Sequence, residues 1–81
     1  MLFHPAISSL FDDLCLALSD PEKAEAIAHQ LIDTAKRLTP DSYSYSLSSI
    51  SRIIKENEFI GGDSKKESVA KKVSEIILAA I

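Results

Sequence analysis

Residues 19–41, SDPEKAEAIAHQLIDTAKRLTPD, decide the fold of this chain. Ala24, Ile27, Ala28, Leu31, Ala35 and Leu38 recur at three- and four-residue intervals, the spacing that lines one face of an α-helix. Ser19 or Asp20 is placed to cap that helix, with Pro21 just inside, where its missing N–H costs nothing, and Glu22 within reach of Ser19. Thr39-Pro40-Asp41 repeats the cap-then-proline device and predicts that a new helix opens at once. The small residues on the stripe predict close approach to a neighbouring helix.

The same spacing extends in both directions. Upstream, His4-Pro5 opens a first helix whose stripe is Ile7, Leu10, Phe11, Leu14 and Leu18, widened by Cys15 and Ala17, so this helix is expected to be the most buried. Downstream, Tyr43, Leu47, Ile50 and Ile54 share a face, with Ile53 at its edge. Six serines between Ser42 and Ser51 weaken this third helix, because short hydroxyl side chains compete for backbone bonds, so packing must hold it. Gly61-Gly62 stops it, Phe59-Ile60 read as a buried plug, and Ser64 with Glu67 forms a capping-box pattern. A fourth stripe follows: Val69, Val73, Ile76, Ile77 and Ala80. These signals predict helices over residues 5–18, 21–38, 41–58 and 65–80 in one domain spanning 1–81. Short connections make successive helices antiparallel neighbours, so the expected fold is all-α, an antiparallel up-and-down four-helix bundle.

Composition narrows the class. The chain has 81 residues, 46% hydrophobic and 26% charged, with two glycines, which argues for a folded domain and against disorder. One cysteine excludes an internal disulfide and fits a reducing cytoplasm. The N-terminal stretch lacks a basic region followed by an apolar run, since Asp12 and Asp13 interrupt it, and no stretch is apolar enough to span a bilayer. A cytoplasmic protein is expected, with peripheral membrane contact left open. The net charge of −3 opposes nonspecific binding to nucleic acid. Residues 1–30 carry five acids against the single Lys23, while residues 61–81 carry four lysines against three acids, so an acidic half can dock on a more basic one.

No catalytic or metal-binding constellation emerges, and neither a cofactor nor a small-molecule substrate is expected. Glu25, His29 and Asp33 share a helix face with metal-compatible chemistry, yet that face is the solvated one and no further ligand is near in sequence. His4 reads as a helix-start residue. Cys15 has no basic neighbour one turn away, so it reads as an inert core thiol. Asp12 and Asp13 splay about 100° apart on a helix, a poor geometry for paired carboxylates. Gly61-Gly62 lacks the lysine and threonine of a phosphate loop. A helix-turn-helix reading would use Lys65, Lys66, Lys71 and Lys72, but Glu67 and Glu75 interrupt that face.

What remains are apolar residues opposite their own stripes. Leu16, Tyr45 and Leu78 each lie about 160–200° from the stripe centre of their helix. In an up-down-up-down bundle, Tyr45 and Leu78 fall at one end with Ile81, flanked by Arg52, and Leu16 falls near the other end. Tyr45, Arg52, Leu78, Ile81 and Leu16 are therefore the candidate partner-binding residues for protein recognition or self-association. Scattered surface residues are the plainer reading of the same pattern.

The segments LFDDLCLALSDPEKAEAIAHQLIDTAKRL (10–38) and PDSYSYSLSSISRII (40–54) resemble the immunity proteins that protect producers of pediocin-like bacteriocins. The resemblance is one of pattern and layout, best over residues 10–54. It implies a cytosolic four-helix protein without enzymatic activity that blocks a bacteriocin–receptor complex at the inner face of the membrane. The alternative is a homo-oligomeric adaptor or regulatory helical bundle; a small nucleic-acid-binding protein ranks third.

Overall fold

The computed structural model describes residues 3–56 and 64–81. Four helices build it: α1 (Pro5–Leu16), α2 (Pro21–Leu38), α3 (Tyr43–Lys55) and α4 (Ser64–Ala79), with no strand among the described residues. The all-α four-helix bundle expected from the stripes is the fold observed. Its radius of gyration, 11.6 Å, is that of a compact single domain of this length, about 11.7 Å.

Local chemistry sets the helix ends. His4 caps α1, its Nδ1 accepting the Ala6 N–H at 3.1 Å, and Pro5 occupies the first turn. Asp20 rather than Ser19 caps α2: its Oδ1 accepts the Lys23 N–H at 3.3 Å. Replacing Asp20 with Ala removes that acceptor and is expected to destabilise the fold by about 1 kcal/mol, read from urea melts, with Asn largely restoring it. At the other end of α2, Lys36 and Arg37 lie in the last turn, where the helix dipole favours cations.

Several boundaries differ from the sequence reading. α1 ends at Leu16, not at 18: the Ala17 N–H turns back to the Asp13 and Leu14 carbonyls, and Leu18 is buried from within the turn. Thr39 does not open α3. Its hydroxyl donates backward to the Ala35 carbonyl at 2.7 Å, closing α2, and Pro40, Asp41 and Ser42 form the turn before α3 starts at Tyr43. Ser42 caps α3 without a side-chain bond. α3 ends at Lys55, short of 58, and α4 runs from 64 to 79 with Ser64 already helical. The Phe59-Ile60 plug and the Gly61-Gly62 stop lie outside the described residues.

The core is a single cluster centred on α2, which packs against each of the other helices. Ala24, Ala28 and Ala35 are fully buried, and their small side chains let the neighbours approach, as expected. α1 is not the most buried helix. Its principal packing is against α2, so Phe3, Leu10 and Phe11 are only partly covered, with the Phe3 and Phe11 rings edge-to-face at 6.3 Å. α2 and α4 run parallel: Glu25 pairs with Lys72 at 3.4 Å, and one turn earlier Pro21 and Ser68 border the same depression. Leu38, assigned to the core stripe, is 43% exposed, because it is the last residue of α2 and projects past the packed layer. Ile32, off the expected stripe, packs against the core instead.

Candidate functional site

The serines that weaken α3 by propensity fix its position by packing. Ser51 and Ser74 are buried and face each other across α3 and α4, their hydroxyl oxygens 2.6 Å apart. Each hydroxyl also lies within reach of the other residue's backbone carbonyl, at 3.2 and 3.3 Å, so one hydroxyl donates to the other, which in turn donates to the carbonyl facing it. Larger side chains would not fit at this separation. The clasp marks the antiparallel register, with Ser48 level with Ile77 and Tyr45 level with Ala80. A depression of about 230 Å³ lined by Lys55, Glu67, Ala70 and Lys71 agrees with that register, since it brings Lys55 level with Ala70.

The outer face of the α3–α4 hairpin follows from this register. On α3, Tyr45 and Arg52 lie seven residues apart on the exposed side, with Tyr45 61% exposed. On α4, Leu78 is 47% exposed and lies one turn before Ile81, which is 48% exposed. Tyr45, Leu78 and Ile81 thus occupy one end of one face, and Arg52 lies further along it. Leu16, although 83% exposed, closes α1 beside the turn into α2, near the start of α4, and does not join them. Leu38 ends α2 at the Tyr45 end and was missed, because its phase alone predicts burial.

Charge on the rest of this face is balanced. Arg52, Lys55 and Lys71 interleave with Glu56, Glu67 and Glu75, all exposed, so no field of one sign develops there. Recognition at this face would rest on shape and apolar contact more than on electrostatic attraction.

Glu25 is engaged by Lys72, His29 and Asp33 are exposed, and no group of three or more potential metal ligands gathers among the described residues. A second depression, about 490 Å³, is lined by Ser19, Pro21, Ser64, Lys65, Ser68 and Val69. Among the described residues its polar lining is three serine hydroxyls and Lys65.

Cys15 is half-buried, and burial, reinforced by the Asp12 carboxylate, pushes its thiol above the usual range. Because the thiolate is the reactive form, iodoacetamide should modify Cys15 several-fold more slowly in the native protein at pH 8 than in urea. The same upward shift makes the folded state lose stability as pH rises from the ordinary thiol range through the native value. A native rate equal to that of the unfolded chain would contradict this assignment.

No helix among the described residues is long and apolar enough to cross a membrane. Comparison with protein-family models, curated proteins and solved structures finds no match to this chain.

Proposed function

We propose that this chain is a non-enzymatic protein-interaction domain whose partner docks on the outer α3–α4 face, and that it serves as a cytoplasmic immunity protein against pediocin-like bacteriocins. The observation that carries the interaction reading is the exposure of Tyr45, Leu78 and Ile81 at one end of the α3–α4 hairpin, whose register a buried serine clasp marks. Tyrosine and arginine, here Tyr45 and Arg52 on one side of α3, are enriched among the side chains that dominate protein–protein contacts. The four-helix layout and the resemblance over residues 10–54 support the immunity reading. The single cysteine supports action in a reducing compartment.

The test is expression in a strain sensitive to a panel of pediocin-like bacteriocins. The wild-type chain is expected to protect against at least one peptide, and Leu78→Glu to abolish protection. Leu78 is half exposed, so that variant should stay within about 0.5 kcal/mol of wild-type stability. Killing by every peptide despite soluble expression would reject the immunity reading. Protection by a folded Leu78→Glu protein equal to that of wild type would reject the face.

A second reading, a homo-oligomeric adaptor, is favoured by the partly covered Leu10 and Phe11 on α1 and Phe3 just before it. It predicts a sedimentation mass twice the 8.9 kDa of the chain, returning to the monomer value in Phe11→Ser.

A further inference from the structure

We draw no further inference here: the strongest candidate, the depression between the α1–α2 turn and the start of α4 where the N-termini of two parallel helices converge beside Lys65, carries nothing because it rests on helix N-termini alone, with no buried unpartnered polar side chain among the described residues aimed into it and Asp20 already capping α2.

Discussion

Leu31→Ala is expected to be among the most damaging single substitutions in this protein. Leu31 is fully buried midway along α2, the helix that packs against all three others, so its removal opens a void that no single neighbour can close. Truncating such a leucine costs about 2–5 kcal/mol. A domain of this length holds only about 4–12 kcal/mol in total, so the variant should lose a large share of its stability. Its melting temperature should fall by more than about 10 °C. Leu16→Ala is the matched control: the same atoms are removed from an exposed site, with an expected change within about 0.5 kcal/mol. Thermal and urea melts followed by circular dichroism check both. Equal losses for the two variants would mean that α2 is not the centre of the core.

The serine clasp gives the second large effect, and its signature is non-additivity. Ser51→Ala leaves the Ser74 hydroxyl without its nearest partner in a buried site, and Ser74→Ala does the reverse. The backbone carbonyl across the interface still accepts from the remaining hydroxyl, so each should cost about 0.5–1.5 kcal/mol, the loss of one hydrogen bond. The double alanine variant removes both hydroxyls together, so it should cost little more than either single change, a coupling of about 0.5–1.5 kcal/mol. Ser74→Leu should be worse than Ser74→Ala, because hydroxyls in contact across the two helices leave no room for a branched side chain, and overpacking costs about 1–3 kcal/mol. Additive alanine effects would show that the two hydroxyls act independently.

Helix existence was legible in the residues because the stripe of each helix and its proline or capping neighbours agree. His4-Pro5 and Asp20-Pro21 work as read. Thr39-Pro40 carries the same letters but a different bond: a threonine after a long helix can return its hydroxyl to the carbonyl four residues back, and here it does. One-dimensional spacing does not separate these uses. The ranking of burial was also hidden. α1 has the broadest apolar stripe yet lies to one side, since helix phase reports which face turns inward and not how many neighbours meet it. Leu38 shows the same limit at a helix end.

The candidate face was legible in part. Tyr45, Leu78 and Leu16 stand opposite their stripes, and the structure leaves all three exposed. What brings Tyr45 to the level of Ala80, next to Ile81, is the register of α3 on α4. That register is marked by two serines 23 residues apart that no periodicity links. Six serines in and before a weak helix were a signal of packing, but not of which serine meets which partner.

The register of α3 on α4 assembles one outer face from the two helices. Nuclear Overhauser effects in the isotope-labelled protein read that register residue by residue. Cross-peaks between the β-protons of Ser51 and Ser74, together with contacts between the residues flanking Ser48 and Ile77, are the predicted result. Cross-peaks displaced by a helical turn, pairing Ser51 with Ala70 or Leu78, would separate Tyr45 from Ile81 and contradict the account.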